Sequence, residues 1–325
     1  SKMPNSIFAN AKASAHEAKL LGSERLSRMI DCARPSDALK VLQETGFGEG
    51  LSVPPSEAEK LIEAEERAYT AFVRETSPSE KLTRFLLARY DYHNAEAVMR
   101  AKYLKRDAKS MTGAAGAFPL ALMEEKIFAD DYGAFGAELS AALAAADELF
   151  VGGAATGRQI NTLFSRAKFR DLSALAHGDK ALSEIAALRA DAANIGIALR
   201  TRSAARAAEM TVAGGVLTAE EIACLAEESA ENIREKFRYS PRKEMISAAL
   251  DDFAAGQPLT SLERIADGAA VTVLARDRYT DEGNRPFMRY CFKKTAEIAN
   301  VRIVMSCLNN GAEKAVIRAR VRDTL

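Results

Sequence analysis

Three times in this chain an acid is followed three residues later by asparagine and then by an apolar run. Asp91 and Asn94 lead into Val98-Met99-Arg100-Ala101-Lys102. Asp191 and Asn194 lead into Ala198-Leu199-Arg200-Thr201-Arg202, and Glu297 and Asn300 into Val304-Met305-Ser306-Cys307. The acids are separated by 100 and then 106 residues, and the apolar pairs Leu82/Phe85, Leu182/Ile185 and Met288/Cys291 keep the same offset upstream. Recurrence at near-constant spacing marks an internal repeat, in which each unit must bury its apolar face against its neighbours. The spacing predicts three similar units, over residues 1–110, 111–210 and 211–325.

The units read as helical throughout. Ser56-Glu57-Ala58-Glu59, Ser77-Pro78-Ser79-Glu80, Thr218-Ala219-Glu220-Glu221 and Thr260-Ser261-Leu262-Glu263 each have the form of a capping box. In such a box a hydroxyl accepts a free backbone N–H and the acid reaches back to the cap. Ser240-Pro241 offers a further cap, with proline where no N–H is needed. Apolar residues follow at three- and four-residue spacing, as in Leu61, Ala64, Ala68 and Phe72. The β-branched run Val271-Thr272-Val273 lies inside a longer helical pattern. The breaks near 46–55, 113–119, 152–157, 214–215, 256–258 and 309–311 are short, which predicts units packed together rather than strung on linkers. The fold class is all-α.

On a helix, an acid at i and an asparagine at i+3 share one face. If buried, both need partners, since an unpaired polar group costs about 1–3 kcal/mol. Asp91, Asn94, Asp191, Asn194, Glu297 and Asn300 are therefore expected to be structural clamps that take up free N–H and C=O groups at the end of a neighbouring helix. A second reading has the three acids touching a ligand, but no nucleophile or metal-ligand pattern accompanies them. Basic residues follow the motif: Arg100 and Lys102, Arg200 and Arg202, and later in the third copy Arg318 and Arg320. They complement helix C-termini, each such cation contributing about 0.3–1 kcal/mol, or they form three basic patches that contact one partner.

Composition excludes several function classes. Lys plus Arg and Asp plus Glu both number 45, so no cationic field gathers nucleic acid or acidic lipid. With no Trp and eight Tyr, a base-stacking surface is not expected. Cys32, Cys224, Cys291 and Cys307 are scattered, as are His16, His93 and His177, and none has zinc spacing. Neither a metal nor a cofactor is predicted. Ser1-Lys2-Met3-Pro4 does not open a secretory leader, and no run of ~20 apolar residues would span a bilayer. Gly152-Gly153-Ala154-Ala155-Thr156-Gly157-Arg158-Gln159 imitates a phosphate-binding loop, but Arg stands for its Lys and Gln for its Ser or Thr. No strand feeds it, so it reads as a junction between helices and no nucleotide is expected. No catalytic residue is predicted.

In order and spacing these features resemble the central-stalk socket of V-type and archaeal-type rotary ATPases, a family designated C in prokaryotes and d in eukaryotes. The similarity runs from the opening Phe8-Ala9-Asn10-Ala11-Lys12 helix, through Asp91/Asn94 and Gly214-Gly215-Val216-Leu217, to Pro286-Phe287, Glu297, Arg302 and Ile317-Arg318. The resemblance implies three helical-bundle domains arranged as a pseudo-threefold funnel. It implies a non-catalytic socket between the rotor shaft subunits and the membrane proteolipid ring, on the cytoplasmic face of the membrane and monomeric when isolated. The competing reading, from the residues alone, is a helical scaffold or adaptor without a rotary partner.

Overall fold

The computed structural model describes residues 4–276 and 283–323. Among them the regular structure is entirely helical, with no strand. In chain order the helices are α1 (Ser6–Glu17), α2 (Gly22–Asp31), α3 (Pro35–Gln43), α4 (Ala58–Thr76), α5 (Glu80–Leu104), α6 (Leu120–Phe128), α7 (Ala137–Val151) and α8 (Gly157–Leu175). There follow α9 (Lys180–Thr201), α10 (Ala204–Ala208), α11 (Ala219–Glu227), α12 (Ala230–Lys236), α13 (Lys243–Ala254), α14 (Thr260–Ala275), α15 (Arg285–Asn309) and α16 (Lys314–Arg320).

The chain divides into two compact units. One holds Ser1–Glu80 together with Glu263–Leu325, and the other holds Lys81–Leu262. The first unit is organised around α15, against which α1, α2, α3, α4 and α16 pack. Its aromatic centre joins Phe72 of α4 to Phe287 and Tyr290 of α15, with ring centroids 6.0 and 5.1 Å apart, and His16 of α1 lies 4.4 Å from Phe72. In the second unit α9 packs against α8, α10, α11 and α13, while α7 lies along α8.

The three helices that carry the repeated motif are the long ones. α5 and α15 have 25 residues each and α9 has 22. More than half of each is buried, so none presents a single apolar stripe. Helices apolar around most of their circumference belong in the interior, and interior helices force any polar residue they carry to find a partner.

The helix starts follow the sequence in part. Thr218 and Glu221 form the reciprocal capping box at α11. At α4 the expected cap does not form. Pro54 and Pro55 open a 3-10 turn over Pro55–Glu57, closed by the Glu57 N–H on the Pro54 carbonyl at 2.9 Å. Ser56 is thereby inside a turn rather than in the extended conformation of a cap, and α4 starts at Ala58 without a side-chain cap. Ser240 accepts the Arg242 N–H at 3.1 Å, one turn ahead of α13. At α14 the Ser261 N–H goes to Asp252 Oδ2 at 3.1 Å. The glycine-rich stretch 152–156 links α7 to α8, and Thr156 with Gln159 forms a second complete capping box there. The stretch that imitates a phosphate loop is thus a junction between two helices, as its sequence suggested.

Candidate functional site

In each copy of the motif the asparagine pairs with main chain further along the sequence. Asn94 Oδ1 accepts the Gly113 N–H at 2.9 Å while its amide donates to the Ala114 carbonyl at 2.8 Å. Asn194 takes both groups of one residue, accepting the Val212 N–H at 2.8 Å and donating to the Val212 carbonyl at 2.9 Å. Asn300 does the same with Arg322, at 2.6 and 3.0 Å. A primary amide carries an acceptor and donors side by side, so it completes a backbone segment as a neighbouring strand would.

The acids hold the chain where it enters the next helix. Asp91 accepts the N–H groups of Ala117 and Phe118, both at 3.1 Å, immediately before α6. Asp191 accepts those of Val216 and Leu217, both at 3.1 Å, immediately before α11 and its Thr218 cap. Bidentate acceptance of two successive N–H groups needs the main chain close against the carboxylate. Gly116 and Gly215 make that possible, because a Cβ at Gly116 would stand 2.3 Å from Asp91 Oδ1 and one at Gly215 2.1 Å from Asp191 Oδ1.

The third copy differs. Glu297 is longer by one methylene and accepts a single N–H, that of Leu21 at 3.1 Å, at the start of α2. Its other oxygen lies 3.4 Å from Lys294 Nζ, which is itself 2.6 Å from Glu65 Oε1 and over the Phe47 ring at 5.1 Å. Glu65 completes the chain by accepting the Gly48 N–H at 2.6 Å. Burial raises the Glu297 carboxyl above its ordinary range, opposed by Lys294 and by the Leu21 N–H.

Several partners were not legible in the sequence. Arg242 Nε lies 2.6 Å from Asp191 Oδ2, both side chains buried or nearly so. Asp171 on α8 is held by Arg84 at 3.0 Å and by the Tyr92 hydroxyl at 2.9 Å, both on α5. Burial raises both Asp171 and Tyr92. Arg322, besides its pairing with Asn300, reaches Asp267 of α14 at 3.0 Å. These ion pairs join residues 51 to 87 positions apart without a shared motif, so no local pattern announces them.

The six basic residues do not share one environment. Arg100 pairs with Glu96 at 3.1 Å and donates to the Gly157 carbonyl at 3.2 Å. Lys102 bonds Asp130 and approaches Asp147 at 3.4 Å, beside Tyr103 and Tyr132, whose hydroxyls also donate to Asp147. Arg202 donates to the Leu225 and Glu228 carbonyls at 2.9 and 2.7 Å, satisfying the C-terminal end of α11. Arg318 pairs with Asp31, and Arg320 lies 3.9 Å from Cys307 Sγ. Arg200 is exposed on α9.

Two shallow clefts accompany the motif. One of about 290 Å³ is bordered by Glu17, Leu21, Lys293, Glu297 and Asn300, and one of about 270 Å³ by Asn194, Val212, Gly215 and Leu217. Among the described residues no cluster of His, Cys, Asp or Glu is placed to hold a metal ion, and no helix is long and apolar enough to cross a membrane. In chemical terms the acid–asparagine pairs immobilise main chain. Their oxygens are occupied by N–H groups and cations of the chain itself.

Fold and site together define an all-helical protein that uses one acid–asparagine arrangement three times to seat its connecting segments. The family described as ATP synthase (C/AC39) subunit matches residues 9–320, and the chain belongs to that family. It is thus an accessory component of the V/A-type ATP synthases rather than the catalytic one. No curated protein matches the sequence.

Proposed function

We propose that the chain is the socket between the rotor shaft and the proteolipid ring of a V/A-type ATP synthase or ATPase, passing torque without catalysing a reaction. The match to the family over residues 9–320 carries this reading. The geometry supports it in one respect: a part that transmits force needs connections that do not yield. Here the segments entering α6, α11 and α2 are each tied to a long interior helix by charge-assisted hydrogen bonds. On this reading the units 1–110, 111–210 and 211–325 form a pseudo-threefold funnel. The protein acts from the cytoplasmic face of the membrane and is a monomer until it meets its partners. Asp91/Asn94, Asp191/Asn194 and Glu297/Asn300 serve the fold. Among the basic residues Arg200 and Arg320, both exposed, are the best placed for a partner, since Arg100, Lys102, Arg202 and Arg318 are engaged within the chain.

Native mass spectrometry of the purified chain, alone and with the shaft subunits of the same complex, tests the proposal. A monomer that adds one-to-one to the shaft supports it. A stable homo-oligomer indifferent to the shaft would instead favour a helical adaptor without a rotary partner.

A further inference from the structure

In the first two copies of the motif the carboxylate reaches forward along the chain, 26 to 27 residues from Asp91 and 25 to 26 from Asp191. In the third, Asn300 still reaches forward, 22 residues to Arg322, but Glu297 reaches back 276 residues to Leu21. The segment that enters α2 therefore occupies, at the third clamp, the place that the segments entering α6 and α11 occupy at the other two.

The stretch before it is fastened to the same helix. Asn10 donates to the Gly283 carbonyl at 2.8 Å and accepts the Phe287 N–H at 3.2 Å, at the start of α15. Glu17 pairs with Lys293 at 2.7 Å and stands 3.9 Å from Arg289. Leu21 follows on Glu297. Polar ties thus recur along α15 at residues 287, 293 and 297, in step with residues 10, 17 and 21.

Apolar burial in this docking is confined to a few side chains: Ala9 and Ala13 of α1, His16 against the Phe72 and Tyr290 rings, and Leu21 at the end of the stretch. Of the 12 residues of α1 only Ala9 and Ala13 are buried, and Ile7 and Phe8 are exposed. Segments with few buried apolar contacts open at a smaller free energy than the whole domain. Polar ties that are also available from water hold a segment only while several of them act together.

We infer that residues 5–21 form a strap that docks on α15 as one cooperative piece and completes the third repeat from the opposite end of the sequence, with the Glu297–Leu21 bond as its latch. The strap releases as a unit while α2, α4 and α15 stay packed. This inference does not depend on the proposed rotor function.

Hydrogen exchange of the full-length protein tests it. The Asn10–Phe287 and Leu21–Glu297 ties lie roughly 15 Å apart along the helices, at 1.5 Å rise per residue. In Glu297→Ala the amides throughout α1 are expected to exchange at least tenfold faster, while those of Phe118 and Leu217 keep their wild-type rates. Asn10→Ala, which touches no clamp, is expected to speed the same amides. The double variant is expected to add little beyond either single change, because the strap is already released. Faster exchange confined to Leu21 and its immediate neighbours in Glu297→Ala would overturn the inference. So would unchanged exchange at Ser14–Glu17 in Asn10→Ala, a readout that stands even if the Glu297 variant fails to fold.

Discussion

Arg242 Nε lies 2.6 Å from Asp191 Oδ2, and the aspartate side chain, with 0% of its surface exposed, also accepts the N–H groups of Val216 and Leu217. One carboxylate thereby ties α9, the entry to α11 and the turn before α13 together. Removing one partner of such a buried pair leaves the other uncompensated, which costs about 3–5 kcal/mol. Asp191→Ala should therefore lower urea stability by that amount. On the proposed socket function the folded fraction should keep the wild-type affinity for the rotor shaft, which titration under native conditions would check. A normal melting temperature with lost affinity would make Asp191 a contact residue instead.

The two glycines beside the clamps should tolerate no side chain. Gly215→Ala and Gly116→Ala would place a Cβ 2.1 and 2.3 Å from a buried carboxylate oxygen. Overpacking of this kind costs about 1–3 kcal/mol. Gly268 gives the opposite sign. It lies within α14 with nothing within 4 Å of a built Cβ, so Gly268→Ala should stabilise the protein by roughly 0.5–1 kcal/mol. Thermal melts of the three variants side by side decide the point.

Asn194 is held by both its amide groups, so its replacement by the isosteric acid is informative. Asn194→Asp can still accept the Val212 N–H, but above its pKa it cannot donate to the Val212 carbonyl. A buried acceptor left unsatisfied costs about 1–3 kcal/mol. The loss should be largest at neutral pH and shrink on acidification, as the protonated acid regains a donor. A loss independent of pH would contradict this.

Glu297 has a folded-state pKa above its ordinary value, mainly through burial. Its protonated form therefore contributes stability that is fully present below the unfolded pKa, near 4.5, and is lost as pH rises through the folded value. Glu297→Gln can still accept the Leu21 N–H but has no proton to lose. The melting temperature of Glu297→Gln relative to wild type should rise as pH increases from about 4.5 toward neutrality. A difference that stays flat, or that moves in favour of the wild type, would refute this.

Arg200 provides the functional test with least structural cost, being exposed on α9. Arg200→Glu should leave the melting temperature unchanged and, on the proposed socket function, weaken shaft binding about tenfold, equivalent to about 1.4 kcal/mol. Unaltered binding would remove Arg200 from the contact surface.

Much of this architecture could be read from residue order alone. Helix content follows from capping residues and three-to-four periodicity, which are local properties, and the Thr218/Glu221 box was legible for that reason. The repeat at Asp91, Asp191 and Glu297 was equally visible, because buried acids and amides stand out against an apolar helix. Even the family resemblance rests on that order and spacing. Local pattern misled at Ser56, where two prolines impose a 3-10 turn that a capping motif cannot override.

What tertiary structure decided is which groups meet. Nothing near Asp191 in the sequence marks Arg242 as its counter-ion, and nothing near Glu297 marks Leu21, 276 residues away, as its donor. Periodicity says that a side chain faces inward, since that depends on its own helix. The identity of its partner depends on how distant helices pack, and packing is set by the sum of many contacts that no single stretch of sequence contains.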